Sequence, residues 1–386
     1  MKIAFLTQLL PNNTHQSYFM KACGIARFTW NWAVAAWFEQ YRLSQSDNTV
    51  KKPNGKALKK VFNSIKKTEY PWVYEVTKYA AQQPFIQLQK AWDKFFKDIK
   101  SGAIPAKPRK DGKLAGMPRF KKKGRCTDSF YVGGDHIKVK GRYLHLPKLG
   151  WIKMAEPLPF GGHINSITIS RHADRWMVSF QCDVDYSPLP VKSQDSVGID
   201  VGINALVTAS DGSVWQSPKP FSEAKRQLAR YQRRLAKKVK GSGDYRKLTM
   251  KIARLHRRIA SIRKNTLHHI SRYLTDHFAV IAVEDLNIRG MMKNRKLARH
   301  IAEMGWYELF RQLKYKSDWK GGVVEKTGKW FPSSQLCNRC GEKYPCLTLS
   351  DRVFNCPSCG NKANRDSNAA LNIRDYTVRF AGIYAD

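Results

Sequence analysis

Apolar and polar residues alternate along this chain with a period that changes several times, and each change predicts an element. Residues 1–10 alternate loosely in twos and predict a strand that stops at Pro11. Asn12-Asn13-Thr14 offers N-cap oxygens to a helix over 15–41. There Tyr18, Phe28, Trp30, Trp32, Trp37, Phe38 and Tyr41 recur at helical spacing and predict an aromatic core. A polar loop at 47–56 leads to two further helical stretches, 56–68 and 72–99, the second kinked or broken at Pro84. Residues 102–124 are rich in Pro, Gly and Lys and read as a basic connector.

Between Phe130 and Val184 the period falls to two. Segments 130–132, 136–139, 143–146, 166–169 and 176–180 predict short strands between turns. With the N-terminal strand they predict a small β-barrel interrupted by the helices. Oligonucleotide-binding barrels have this pattern, and so do other small barrels. After a polar linker at 192–195, Val197-Gly198-Ile199-Asp200-Val201-Gly202 opens a new unit, and 205–209 with the turn at 210–213 completes a hairpin. Two long basic helices follow. The first, 222–239, gathers Leu228, Tyr231 and Leu235 on one face; the second keeps Leu248, Ile252, Leu255, Ile259 and Ile262 at three- and four-residue spacing. Residues 278–284 predict a buried strand ending in Glu284, 302–320 a helix and 322–325 a short strand. The fold class is a multidomain α+β chain.

Charge narrows the partners. Lys and Arg number 69 against 30 Asp and Glu, a net +39 spread over all 386 residues. Such an excess repels itself unless a polyanion neutralises it, which points to nucleic acid. An anionic membrane fits less well, because no long basic helix has a clean apolar face. No apolar run reaches the roughly 18–20 residues of a membrane span, and the first six residues are too short and too soon interrupted for a signal peptide. The expected location is the cytoplasm, with no membrane partner, and a monomer is expected. Arg233, Arg234, Arg254, Arg257 and Arg258 lie on the polar faces of the two basic helices and suit a phosphate track. Lys78, Tyr79, Gln82, Gln83, Gln87 and Gln89 have the donors and acceptors to read base edges, or form an ordinary polar helix face.

Four of the eight cysteines form two C-x2-C pairs, Cys337/Cys340 and Cys356/Cys359. Two such turns complete a tetrahedron of thiolates, and with no open position the Zn²⁺ they suit is structural. Cys23, Cys126, Cys182 and Cys346 are scattered and read as packing residues, Cys346 being a weak fifth candidate. Three acids carry the remaining chemistry. Asp200 lies on a glycine-flanked strand, where a backbone can approach a substrate closely. Glu284 leaves a strand on the side opposite to Asp285, and Asp366 begins a helix whose Ala369 and Ala370 permit close packing on a sheet. Taken singly, Asp366 could N-cap its helix and Glu284-Asp285 could be a solvated strand end. Strand, strand and helix each delivering a carboxylate is also how a ribonuclease-H-like fold holds two Mg²⁺ or Mn²⁺ ions.

These motifs together resemble the TnpB family, transposon-associated RNA-guided DNA endonucleases related to type V CRISPR effectors. Gly198-Ile199-Asp200-Val201-Gly202, Val283-Glu284-Asp285-Leu286 and Arg365-Asp366-Ser367-Asn368-Ala369-Ala370-Leu371-Asn372-Ile373 are similar to the three motifs of the family's RuvC-like nuclease. Ser333-Ser334-Gln335-Leu336-Cys337-Asn338-Arg339-Cys340-Gly341 and Cys356-Pro357-Ser358-Cys359-Gly360 are similar to its zinc ribbon. The resemblance implies catalytic, Mg²⁺-binding roles for Asp200, Glu284 and Asp366. It implies a bound guide RNA, a double-stranded target DNA, and a short flanking motif read near Lys78, Tyr79 and Gln82. It also implies a division of the chain: a first wedge strand at 1–12, a helical recognition domain at 13–105 and a wedge barrel at 106–192. A RuvC-like domain with a basic helical insert would follow at 193–330, a zinc ribbon at 331–362, and the last RuvC helix and tail at 363–386. Asn364 stands where many relatives carry an acid. The alternatives are a nuclease-inactive RNA-guided repressor and a DNA transposase acting without RNA. Reading Gly198–Gly202 as an ATPase phosphate loop lacks any adenosine site further along.

Overall fold

The computed structural model describes residues 1–104, 114–185, 195–348 and 351–380. The middle of the basic connector, most of the polar linker and the end of the tail lie outside these described residues. The chain divides into two compact units, Met1–Tyr186 and Ser187–Asp386. Among the described residues no helix is long and apolar enough to cross a membrane.

The first unit starts with β1 (Lys2–Leu10), followed by α1 (Asn13–Ser46), α2 (Gly55–Ile65) and α3 (Lys78–Lys100). Its remaining strands are β2 (Ser129–Gly133), β3 (Lys138–Lys140), β4 (Tyr143–Leu146), β5 (Gly150–Met154), β6 (His163–His172) and β7 (Arg175–Asp183). Asn12 and His15 close a reciprocal capping box at the start of α1, as the polar run before it predicts. The aromatic spacing of α1 does build a core: Phe19, Trp30 and Trp37 are buried, and Trp37 stacks on Trp92 of α3 at 5.4 Å. α3 runs on through buried Pro84, so the expected break there is absent. The interruption comes earlier, where a 3-10 turn at Pro71–Glu75 gives way to extended Val76.

The strands of this unit form one antiparallel sheet of order β2-β6-β7-β1-β5-β4-β3. The expected barrel does not close among the described residues, because the end strands β2 and β3 do not pair. The short link between them, Gly134–His136, is a 3-10 turn, and β3 is three residues long with both lysines exposed. Exposed charge on a short edge strand discourages further pairing. Strand β5 escapes the sequence pattern because exposed Trp151 sits opposite the buried face of Ile152 and Met154.

The second unit contains a five-stranded mixed sheet of order β10-β9-β8-β11-β12. Its strands are β8 (Ser196–Asp200), β9 (Ala205–Ala209), β10 (Val214–Gln216), β11 (Val280–Val283) and β12 (Val323–Lys326). β11 runs parallel to both β8 and β12, whereas β9 is antiparallel to β8. The basic helices are α4 (Pro220–Ala236) and α5 (Gly243–His277), then come α6 (Ile288–Met291), α7 (Ala298–Met304) and α8 (Trp306–Lys320). The single helix expected at 302–320 is broken at Gly305, whose φ of 72° is left-handed. In α5 Leu248 and Ile259 are buried, and the fully buried stripe continues to Leu267, Ile270 and Leu274. The N-terminus of α4 has no local cap, since Lys219 is itself left-handed at φ 42°. Buried Glu303 of α7 serves instead, accepting the N–H groups of Phe221 (2.9 Å) and Ser222 (3.0 Å) and the Ser222 hydroxyl (2.9 Å). The two C-x2-C turns sit beside a short hairpin, β13 (Val353–Asn355) and β14 (Lys362–Asn364), and α9 (Arg365–Phe380) ends the described chain.

Candidate functional site

Asp200 is the last residue of β8, and the register Val283↔Ile199 puts Glu284 one step beyond, level with it on the neighbouring parallel strand. Level residues on paired strands leave the sheet on the same face. That face receives α9. A Cβ on Gly198 would stand 2.1 Å from the Ala370 carbonyl oxygen and 2.4 Å from Arg374 N. Gly198 and Asp200 share a strand face, while Asp366 and Ala370 share a helix stripe four residues apart. Close seating of α9 on Gly198 therefore carries Asp366 to Asp200. The glycine beside Asp200 admits the backbone of this helix, where the sequence suggested a substrate. Ala369 and Ala370 are buried in that contact, as their small size predicts.

Glu284 and Asp366 both act on Asp200. Burial, then the charges of Glu284 and Asp366, push the Asp200 carboxyl up to about 7, and the nearby Arg365 guanidinium only partly offsets them. Burial also raises Glu284, against the hydrogen bond that Ser333 Oγ donates to its Oε1. Asp366 accepts from the guanidinium of its neighbour Arg365 at 3.3 Å. Asp366 is not the cap of its helix: Asn364 Oδ1 takes the N–H groups of Asp366 (3.0 Å) and Ser367 (3.1 Å), leaving the carboxylate to face the sheet. Asp285 points elsewhere and pairs with Lys326 at 2.7 Å. Hard carboxylate oxygens brought together from two strands and a helix are the donor type that suits a Mg²⁺- or Mn²⁺-type cation.

The cysteines form a separate centre. The four Sγ atoms of Cys337, Cys340, Cys356 and Cys359 lie within 4.8 Å of one another, the one such group of possible ligands among the described residues. The three acids are more widely spread than that. Cys337 and Cys359 are 3.6 Å apart and Cys340 and Cys356 3.5 Å. A tetrahedral ion with ~2.3 Å bonds to sulfur needs separations near ~3.8 Å, far beyond a disulfide bond. The two turns are built alike: Gly341 N–H returns to Cys337 O at 2.8 Å and Gly360 N–H to Cys356 O at 3.1 Å, each glycine being left-handed. Burial opposes the Cys337 thiolate, but the backbone N–H groups of Cys340 and Arg339 prevail and bring it down to about 6. Cys346 is exposed and outside the quartet.

The nucleic-acid candidates fare unevenly. Tyr79 packs on Gly133 and donates to Asp135 at 2.7 Å, so its hydroxyl is engaged within the fold, while Lys78 is exposed and Gln82 half-buried. Gln89 is likewise engaged, accepting from Gly55 N at 2.8 Å. A small, partly enclosed pocket of the first unit is lined in part by Gln83, Gln87, Arg27 and Lys121. On the basic helices Arg233, Arg234, Arg254 and Arg258 are exposed and Arg257 is half-buried. Ser333, Asn368 and Asn372 were not singled out by the sequence, although each lies inside a motif, and Asn364 was noted only as standing where many relatives carry an acid. Asn364 before the helix carried an N-cap signal, whereas Ser333, Asn368 and Asn372 carry no signal of their own until their partners are known.

Comparison with known proteins draws on most of the chain. Residues 179–295 match a family described as "Probable transposase" (OrfB of IS605), 306–373 a "Cas12f1-like, TNB domain" and 1–46 a "Helix-turn-helix domain". In this structure that last segment is β1 followed by the single helix α1. The chain is 32% identical, over 96% of its length and 91% of the relative's, to "Putative RNA-guided DNA endonuclease InsQ" of Escherichia coli strain K12. It is 33% identical to a "Putative RNA-guided DNA endonuclease" of Streptomyces pristinaespiralis, over 97% of its own length and 89% of that protein's. Its fold is similar to the protein in a "Cas12f1-sgRNA-target DNA complex", with a TM-score of 0.53 at 16% identity over 94% of this chain and 83% of that one. Mixed α+β architecture of the Cas12 type and identity along nearly the full length have one reading: the chain belongs to the TnpB family, the OrfB proteins of IS605-type elements.

Proposed function

We propose that the protein is an RNA-guided DNA endonuclease, with a RuvC-like centre at Asp200, Glu284 and Asp366 and a structural Zn²⁺ at Cys337, Cys340, Cys356 and Cys359. The observation that carries this reading is the convergence of three acids from β8, the end of β11 and the start of α9, close enough that Glu284 and Asp366 add to burial in raising Asp200 to about 7. Such crowding is unfavourable in a bare protein and favourable around divalent cations. Mg²⁺ or Mn²⁺ at these oxygens would activate water and stabilise the leaving oxygen of a phosphodiester. The chain's own contributions are the fixed directions of the carboxylates: Asp200 by its strand, Glu284 by its strand and by Ser333, Asp366 by the Asn364 cap.

The net charge of +39 supports a polyanionic partner, and the named relatives support a guide RNA and a DNA target. In this reading base pairing selects the target, while the protein binds backbone and a short flanking motif. Residues 13–105 and 106–192 would hold the guide and read that motif, with Lys78, Tyr79 and Gln82 near it. Arg233, Arg234, Arg254, Arg257 and Arg258 would track phosphates. Sequencing the RNA that co-purifies with the protein, then assaying plasmid cleavage in Mg²⁺ before and after ribonuclease treatment, tests the proposal. Cleavage should require the RNA, the matching target and Asp200; cutting that survives ribonuclease would favour a transposase acting without RNA.

A further inference from the structure

Glu284 is held by a side chain outside the three-acid set. Ser333 is only 3% exposed and donates its hydroxyl to Glu284 Oε1. Its own position is fixed from several sides. Ser333 N–H donates to Phe331 O at 3.0 Å, and its carbonyl accepts from Asn372 Nδ2 at 2.8 Å. Asn372 also donates to Leu336 O at 2.7 Å, and Asn368 Nδ2 donates to the same carbonyl at 2.6 Å. Asn368 Oδ1 in turn accepts Asn338 N–H, 3.0 Å away, inside the first C-x2-C turn. Asn368 and Asn372 are buried and one turn apart on α9, the helix that begins beside Asp366. One side of the segment 333–338 is thus tied to α9, and its first residue reaches Glu284.

We propose that Ser333 is a positioning residue for Glu284, and that it registers the cysteine centre to the three acids. The inference rests on the reading of Asp200, Glu284 and Asp366 as a metal centre. A carboxylate at the end of a strand can rotate about its last torsion. A buried hydroxyl on Oε1 stops that rotation and leaves Oε2 directed to a cation. Because Ser333 is clamped through Asn372 and Leu336, its hydroxyl is in place only when the ribbon is folded onto α9. The cysteine centre therefore acts on Glu284 through one hydrogen bond, with no side chain of its own beside it.

The test is a Mn²⁺ titration of the full-length protein followed by the electron paramagnetic resonance signal of the free ion. Wild type, Ser333→Ala and Ser333→Thr are compared, and zinc content is measured alongside. Loss of the hydroxyl should weaken Mn²⁺ binding roughly 10-fold, the usual effect of removing an outer partner of a metal ligand. Zinc content should stay at the wild-type level, and threonine, which keeps the hydroxyl, should bind near the wild-type value. Equal Mn²⁺ affinity in wild type and Ser333→Ala overturns the proposal, as does a threonine variant no better than alanine, which would indicate packing alone. Failure of the underlying nuclease reading shows separately, as cleavage that persists in Asp200→Ala.

Discussion

Gly198 and Ala370 approach so closely that a single added carbon would lie 2.1 Å from a backbone oxygen. This contact seats α9 on β8 and so governs the distance from Asp366 to Asp200. A side chain at position 198 must push α9 away, because the atoms it meets are backbone and cannot rotate aside. Gly198→Ala is expected to destabilise the second unit by at least ~2 kcal/mol and to abolish cleavage. Denaturant unfolding and a plasmid assay would check this, and a variant with native stability and full activity would break the link.

Asp200 gives a pH prediction with a definite sign. Its folded carboxyl is raised to about 7 from an ordinary 3.8, so between those values the native state holds a proton that the unfolded state has released. Its contribution therefore turns unfavourable as pH rises through this window. Asp200→Asn should stabilise the metal-free protein by about 1–2 kcal/mol at pH 8, discounted from the full shift for partial solvent access. The gain should shrink as pH falls and vanish below about pH 3, where the wild-type carboxyl is neutral in both states. Melting in chelator across pH measures it, while cleavage in Mg²⁺ is lost at every pH.

Cys356→Ser should remove the bound zinc and, with it, the folded ribbon, since among the described residues the core there is small: Cys337, Phe354 and Cys356, with Tyr344, Leu347 and Cys359 packed against them. Cleavage should fall at least 10-fold through the loss of the Ser333 and Asn372 contacts. Metal analysis and plasmid cleavage decide the matter; a zinc-free variant that cuts normally would show the centre to be dispensable.

Glu303→Ala leaves two N–H groups and a hydroxyl at the start of α4 without their acceptor. A loss of ~1–3 kcal/mol is expected, with faster amide exchange over the first turn of α4. Glu303→Gln should retain part of the protection, because an amide oxygen still accepts. Unchanged exchange in the alanine variant would rule out the capping role.

The basic helices should speak through salt. Replacing Arg233, Arg234, Arg254 and Arg258 by alanine should weaken nucleic-acid binding and flatten its salt dependence by about 0.7–0.9 in log–log slope per lost phosphate contact. Filter binding over a salt series measures both. An unchanged slope would remove these helices from the phosphate track.

Sequence alone determined what local pattern can encode. The spacing of Cys337, Cys340, Cys356 and Cys359 is set by the reach of a tight turn, so it predicts convergent thiols without knowledge of the fold. The periodicity of α1 and α5 and the strand parity of Asp200, Glu284 and Asp285 are likewise properties of a few neighbouring residues. Tertiary structure decided whatever depends on partners distant in the chain. It showed that the space at Gly198 is taken by α9, that the helix cap is Asn364 and not Asp366, and that Ser333 reaches Glu284. It left the first-unit sheet open at β2 and β3, because alternation specifies which face is buried but not whether the two ends of a sheet meet. Hydrogen bonds between residues tens of positions apart leave no period in the sequence, and one such bond, from Ser333, orients Glu284.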